Sequence, residues 1–165
     1  MLLLVPASLF AMPSIDELPD LTGGVIPLLT YDTGEGGGGQ LFSGGHLSSR
    51  GHVYYLVRVK NQSGDPIEAD TLIVVVQRIQ EMARLRDVIL ELDLPGADGQ
   101  TKEGYPYFHV PLNNQPNLEP YGESQPFRLV INNPNLFRLY PPVLRVRGIR
   151  VTPTQAYQDT LNTRE

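Results

Sequence analysis

The chain has 165 residues, 41% of them hydrophobic, a formal net charge of −5, and no cysteine or tryptophan. This length suits a single domain with an additional arm, and the lack of cysteine excludes a disulfide framework, a thiolate metal site and a cysteine nucleophile. The charge argues against nucleic-acid binding, which needs a basic face to offset phosphate charge.

The first eleven residues, MLLLVPASLFA, are mostly apolar. One interpretation is the hydrophobic region of a secretory signal cleaved after Ala11, although no Lys or Arg precedes it. A retained segment would instead be an ordinary core strand, or a strand donated to a neighbouring copy through main-chain hydrogen bonds. The run is too short to span a bilayer as a helix. The donated strand would use Leu2, Leu3, Leu4, Val5, Leu9 and Phe10.

Residues 1–49 form an acidic front piece, because they contain five acidic residues and no Lys or Arg. Within it, VIPLLTY at residues 25–31 is a second candidate for strand exchange between copies. Its apolar side chains are Val25, Ile26, Leu28 and Leu29.

The stretch TYDTGEGGGGQLFSGG at residues 30–45 allows two opposite interpretations. Asp32-Thr33-Gly34 is the tripeptide of an aspartic protease, which needs two carboxylates sharing one proton in a rigid loop. Glu35 and the glycine run that follow do not suit such a loop. We therefore predict that residues 34–45 are a flexible tether.

From residue 52 onward, short apolar runs alternate with turns rich in Gly, Pro and Asn. HVYYLVRVKN alternates like a half-buried strand, and DTLIVVVQRI is a continuous β-branched run that suits a central strand. DVILELDL, YPYFHVPL, PFRLVINNP and PPVLRVRGIRV are further strand candidates, and QRIQEMARLRDV is predicted to contain a single helical turn. About seven or eight such strands indicate an all-β fold, an antiparallel β-sandwich.

The body of the chain, residues 50–151, resembles the immunoglobulin-like or fibronectin-type-III-like repeat of bacterial secreted and surface proteins. Four motifs carry this resemblance: an N-x-S turn, a G-x-PY strand start, a turn similar to L-x-P-G-E-S, and a closing N-P. They lie at residues 61–63, 104–107, 118–124 and 133–134. Tyr121 departs from the pattern, because it stands in a turn where the repeat usually has PGES. The resemblance covers residues 50–151 and implies an immunoglobulin-like sandwich that acts as a non-catalytic spacer, adhesive module or assembly unit.

These observations predict three parts of the chain. Residues 1–49 comprise the apolar segment, as signal or donated strand, and the acidic glycine-rich tether. Residues 50–152 form the immunoglobulin-like sandwich, and residues 153–165 form a C-terminal tail.

Two ligand sites are candidates. The stretch ELDLPGADGQTKEG presents carboxylates on a turn, and hard oxygen ligands suit calcium, although a solvated hairpin turn explains them as well. Its candidate ligands are Glu91, Asp93, Asp98 and Glu103. A carbohydrate platform would use aromatic rings, and its candidates are Tyr105, Tyr107 and Tyr121. No other cofactor is indicated, and the NQS at Asn61 is first of all a turn.

The predicted function is that of a non-enzymatic extracellular structural protein. It would be a surface or filament subunit that assembles with copies of itself by strand exchange through its N-terminal arm. The alternative is an adhesive or carbohydrate-binding module that recognises a glycan or another surface protein. Neither nucleic acid nor an integral membrane span is expected.

Overall fold

The computed structural model describes residues 13–31, 46–47 and 51–151. These residues form ten strands and three short 3₁₀ turns, with no α-helix among them. The 3₁₀ turns are Ile15–Glu17, Ala69–Thr71 and Ile89–Glu91. The strands are β1 (Val25–Tyr31), β2 (His46–Leu47), β3 (His52–Asn61), β4 (Ile67–Glu68), β5 (Ile73–Arg78), β6 (Gly99–Gln100), β7 (Pro106–His109), β8 (Asn117–Leu118), β9 (Phe127–Asn132) and β10 (Val143–Arg147).

The first sheet is built around β3, whose side chains are alternately buried and partly exposed, as a half-buried strand requires. Strand β9 pairs with β3 over residues 52–57, antiparallel, on one edge. Strands β1 and β2 both pair with β3, also antiparallel. Because β9 occupies one edge of β3, β1 and β2 share the other.

The second sheet has the order β10-β5-β7-β6, again antiparallel. The β-branched run in β5 is buried from Ile73 to Val76, so both faces of this strand are covered. A small third sheet pairs β4 with β8. The prediction of an all-β, antiparallel fold is therefore confirmed.

The main core is shared by the two larger sheets, in a sandwich-like arrangement. Strand β3 contributes Val57 and Val59, both fully buried, and β5 contributes Val74 and Val76 from the facing sheet. A second, smaller cluster lies on the opposite face of β5, where Ile73 and Val75 pack with Leu18.

Two local predictions differ from the structure. The segment predicted to contain a helical turn forms a hairpin, in which Gln80 bridges to Asp87 and Val88 N–H donates to Ile79 C=O at 2.8 Å. The segment predicted as the strand DVILELDL instead contains the 3₁₀ turn Ile89–Glu91. The hairpin turns at Leu85, which has a φ of +58° and cannot continue a right-handed helix.

None of the helical segments in the described ranges has the length and apolar character needed to cross a membrane.

Candidate functional site: the N-terminal segment

Residues 13–18 cross the outer face of the second sheet. Glu17 N–H donates to Ser14 C=O at 2.9 Å, and Ser14 N–H donates to the Glu17 carboxylate at 3.2 Å, which together close the first turn. The turn directs Leu18, 6% exposed, against the outer face of β5. Ile15 packs at the same cluster, and Asp16 accepts a hydrogen bond from Lys102 N–H at 2.9 Å. This segment therefore covers apolar side chains that would otherwise face water.

Residues 19–22 then pair with the outer edge of β10. Leu21 N–H donates to Val146 C=O at 2.8 Å, and Val146 N–H donates to Thr22 Oγ1 at 2.8 Å. Gly148 N–H also donates to Pro19 C=O, at 3.2 Å. The segment thus satisfies main-chain groups of β10 that its pairing with β5 leaves open.

The chain next crosses from the second sheet to the first. Gly23 has a φ of +120°, which favours glycine, and Val25, fully buried, begins β1. All seven residues of β1 have a partner in β3, from Val25 opposite Asn61 to Tyr31 opposite Tyr55. One continuous segment, residues 13–31, therefore supplies outer pairing to both larger sheets. We refer to it as the arm.

The predicted assembly residues have different outcomes. Residues 2–10 lie outside the described ranges. Val25, Ile26, Leu28 and Leu29 all lie in β1 and pair within their own chain. Their use between copies remains a prediction.

The strands on either side of residues 32–45 pair with the same edge of β3. Tyr31 lies opposite Tyr55, and His46 lies opposite Tyr54, the neighbouring position of β3. Residues 32–45, with the Asp32 tripeptide and the predicted tether, are outside the described ranges. The boundary predicted after residue 49 also remains a prediction, although the strands on both sides of it share a sheet.

The four carboxylates predicted to bind calcium have different surroundings. Glu91 pairs with Arg86 at 2.5 Å, and this hydrogen bond raises the pKa of the guanidinium. Asp98 contacts His109 Nδ1 at 3.1 Å, and Asp93 accepts from Asn132 Nδ2 at 3.1 Å.

Glu103 lies in the turn that Gly104 N–H closes on Thr101 C=O. Within residues 13–31, 46–47 and 51–151 no three His, Asp or Glu side chains are placed to hold a metal ion. The calcium site remains a prediction, and in this arrangement a metal would have to displace three protein partners.

The three candidate platform tyrosines do not form one surface. Tyr105 and Tyr107 lie on the outer face of the second sheet, partly buried beside the cluster that contains Leu18. Tyr121 is 71% exposed and belongs to a turn attached to the far end of β3, where Asn61 N–H donates to Gly122 C=O at 2.9 Å. Carbohydrate binding remains a prediction.

The asparagine of the NQS stretch is a buried structural residue. Asn61 is fully buried, and its Nδ2 donates to the carbonyl oxygens of Asp65, Leu118 and Glu119 at 2.8, 3.3 and 3.3 Å. The nitrogen that a glycan would modify is therefore occupied in the folded chain. The prediction of a turn at this position is confirmed, since Ser63 N–H donates back to Asn61 Oδ1 at 2.9 Å.

Sequence reasoning missed two further surfaces. A cavity of about 450 Å³ is lined by His52, Leu90, Glu91, Leu92, Asp93, Asn132, Asn133 and Pro134. The Oδ1 atom of Asn132 is buried and has no hydrogen-bond partner among the described residues. The second surface carries two exposed leucines, Leu85 and Leu136, in left-handed backbone conformations. No sequence signal marks these leucines, because leucine is not a usual residue at such positions.

No protein-family model matches the chain, and no curated protein or solved structure is significantly similar to it.

Proposed function

We propose that this chain is a non-enzymatic structural subunit of an extracellular surface or filament assembly. It would be built on an immunoglobulin-like sandwich and would assemble by exchanging its N-terminal arm between copies. The observation that carries the proposal is the path of residues 13–31, a continuous segment that completes the outer pairing of both larger sheets.

The arm has the properties of an exchangeable element. Its contacts are made with one body, so the same contacts form when the body belongs to a second copy. It buries Leu18, Leu21 and Val25, and burial of such side chains contributes about 1.5–3 kcal/mol each. A body without an arm would expose these contacts and the edges of β3 and β10. Each body therefore requires an arm, whichever chain provides it.

Assembly by exchange of the arm agrees better with the outer edge of β1 than assembly by adding a further strand to that edge. The main-chain N–H and C=O of Val59 point away from β1. Ser124 N–H donates to Val59 C=O at 2.8 Å, and Val59 N–H donates to Ser124 Oγ at 2.9 Å. Pro27 lies opposite Val59, so by antiparallel alternation its main chain points to the outer edge. Proline has no N–H to offer there, which discourages a further strand.

A disulfide engineered between β1 and β3 shows whether β1 pairs with β3 of its own chain or with β3 of a second copy. Thr30 lies opposite Leu56, and paired residues of antiparallel strands are about 4.5–5.5 Å apart at Cα, within the range for a disulfide. The chain contains no cysteine, so Thr30→Cys with Leu56→Cys supplies the only two thiols. Oxidised, concentrated protein is then analysed on non-reducing gels and by light scattering in denaturant.

We expect covalent multimers from this variant. A matched control combines the same Leu56→Cys with Arg128→Cys, which lies opposite Leu56 on β9. Strand β9 belongs to the body, so the control should give only intrachain disulfides. Monomers alone from both variants would refute exchange of the arm.

The extracellular part of the proposal is supported by the resemblance of the body to bacterial surface repeats. Fractionation of the producing cells, with intact mass and N-terminal sequencing of the native protein, tests it. Protein recovered only from the cytoplasm would contradict it.

A further inference from the structure

Two loops meet at one end of the sandwich, and we call this surface the tip (residues 80–86 and 133–138). Glu81 bridges to Leu139, and Met82 N–H donates to Arg138 C=O at 2.8 Å. The Arg86 guanidinium lies 5.6 Å from the centre of the Phe137 ring. Between the loops is a concave surface that encloses a volume of about 460 Å³. It is lined by Glu81, Met82, Ala83, Leu136, Phe137 and Arg138.

The tip carries two leucines that are both exposed to solvent and in a left-handed backbone conformation. Leu85 is 57% exposed with φ +58°, and Leu136 is 60% exposed with φ +52°. A left-handed conformation is unfavourable for a residue with a Cβ atom, and exposure leaves the apolar side chain without compensating burial. At two other left-handed positions the chain has Asn113 and Asn114, a residue type that tolerates this backbone conformation. Exposed leucines at strained positions therefore indicate a surface that contacts an apolar partner.

The arm begins at the same end of the second sheet as the tip. Asp16 accepts a hydrogen bond from Lys102 N–H, which lies in the turn that Thr101 N–H closes on Tyr105 C=O. Val75 lies opposite Tyr107, so the antiparallel register places Tyr105 beside Gln77. Strand β5 then ends at Arg78, and the first loop of the tip follows within a few residues.

The twelve residues before Pro13 can reach the tip and match it chemically. Extended, they span up to about 40 Å, while the few residues between Gln77 and the tip span only about 10–15 Å. They carry no charged side chain and are dominated by leucine, with Val5 and Phe10. Residues 152–165, by contrast, are mainly polar.

Charge argues against a second tip as the partner. Arg84 on the tip and Arg78 just before it are exposed, and neither forms an ion pair with another described residue. Two tips in contact would bring these like charges together, which is unfavourable. An uncharged apolar segment avoids this repulsion.

We propose that residues 2–10 dock on the tip of the body that carries the arm and cover Leu85 and Leu136. The inference goes beyond arm exchange, because docking is expected whether that body belongs to the same chain or to a second copy. It assigns the strained leucines to a binding surface and identifies its ligand as the apolar N-terminal segment of this protein.

Photo-crosslinking on the full-length chain tests the proposal. Ala83 lines the concave surface and is exposed, so p-benzoylphenylalanine is introduced there. The control places the same residue at Tyr121. This position is also exposed, has a φ of +62°, and lies at the end of β3 opposite to the tip. Cleavage after glutamate separates residues 1–17 from 18–35 and 36–68, and mass spectrometry identifies the attached fragment.

We expect the probe at position 83 to attach to residues 1–17, and the probe at position 121 not to do so. Leu85→Asn with Leu136→Asn retains the backbone conformation and should weaken docking about tenfold or more, because both positions lose the apolar side chain that docking would bury. Circular dichroism checks that this variant is folded. Attachment to any other fragment, no attachment, or an unchanged yield in the double variant would overturn the proposal.

Mixing isotope-labelled and unlabelled chains separates this inference from the proposed function. Attachment to residues 1–17 within one chain supports docking and contradicts exchange, whereas attachment between chains supports both. A chain that multimerises through the Thr30→Cys bond without attachment at position 83 supports exchange and overturns docking.

Discussion

Replacement of Asn61 tests whether the far end of the sandwich is held together by one buried amide. Asn61 is fully buried at the end of β3. Its Nδ2 donates to carbonyl oxygens of the turn after β3, of β8 and of the following turn, while its Oδ1 accepts from Ser63 N–H and from Ser63 Oγ at 2.7 Å. Three segments of the chain are therefore joined through this side chain.

The expected cost of Asn61→Ala is about 3 kcal/mol. Unsatisfied buried polar groups cost about 1–3 kcal/mol each, and the Leu118 carbonyl is the partner bonded in fully buried surroundings. The contacts with Ser63 and Asp65 are only part-buried, so water replaces them at lower cost. The loss of side-chain volume adds a cavity contribution.

Asn61→Asp adds a pH dependence whose sign follows from the same contacts. The new carboxyl has the shape of the amide but directs an oxygen at three carbonyl oxygens, so burial and repulsion raise its pKa in the folded state. Below the unfolded pKa of about 3.9 the carboxyl is protonated in both states. The loss of stability relative to the natural chain should therefore be smallest at low pH and grow as the pH rises through the folded pKa.

Equilibrium urea unfolding at several pH values measures both effects. Gln62→Ala is the matched control, because Gln62 is the exposed neighbour and its main-chain N–H, not its side chain, bonds to Gly24 C=O. A loss below about 1 kcal/mol for Asn61→Ala, or a pH-independent loss for Asn61→Asp, would refute the reasoning.

Three further substitutions test other parts of the fold by urea unfolding. Gly51→Ala should cost about 2–3 kcal/mol, because Gly51 has φ +79° and a Cβ would lie 2.6 Å from the Asn133 carbonyl oxygen. Gly64→Ala, where a Cβ would meet no atom of the described residues within 4 Å, should cost nothing; equal effects at the two glycines would contradict this explanation. Leu18→Ala should cost about 2–3 kcal/mol if the arm packs on β5 as described, and a loss near zero would mean that it does not. Tyr121→Asn should raise stability by up to about 1 kcal/mol by relieving the left-handed conformation, and a decrease would show that the exposed ring has a structural role.

The strands were predictable where a local pattern carries their pairing. The alternation in HVYYLVRVKN and the apolar run in TLIVVV identify β3 and β5, because burial on one face or on two leaves its own period in the sequence. The strand prediction for DVILELDL was wrong because a pattern of buried apolar residues does not by itself distinguish a strand from a turn. Its apolar side chains Val88 and Ile89 are buried, but Val88 bonds back to Ile79 in the hairpin and Ile89 begins a 3₁₀ turn.

The candidate sites were less predictable because they depend on long-range contacts. The sequence shows that Glu91, Asp93 and Asp98 are close along the chain, but not that Arg86, Asn132 and His109 are their partners. It also gives no indication that the N-terminal segment crosses one sheet and joins another.

The sequence by itself determined the all-β class, the main strands and the turn at Asn61, since residue spacing and turn chemistry act over a few neighbours. Only the tertiary structure decided the path of the arm and the left-handed conformations of Leu85 and Leu136. Those features depend on which distant segments share an edge or a face, and such pairing is chosen by burial and main-chain hydrogen bonding across the whole fold.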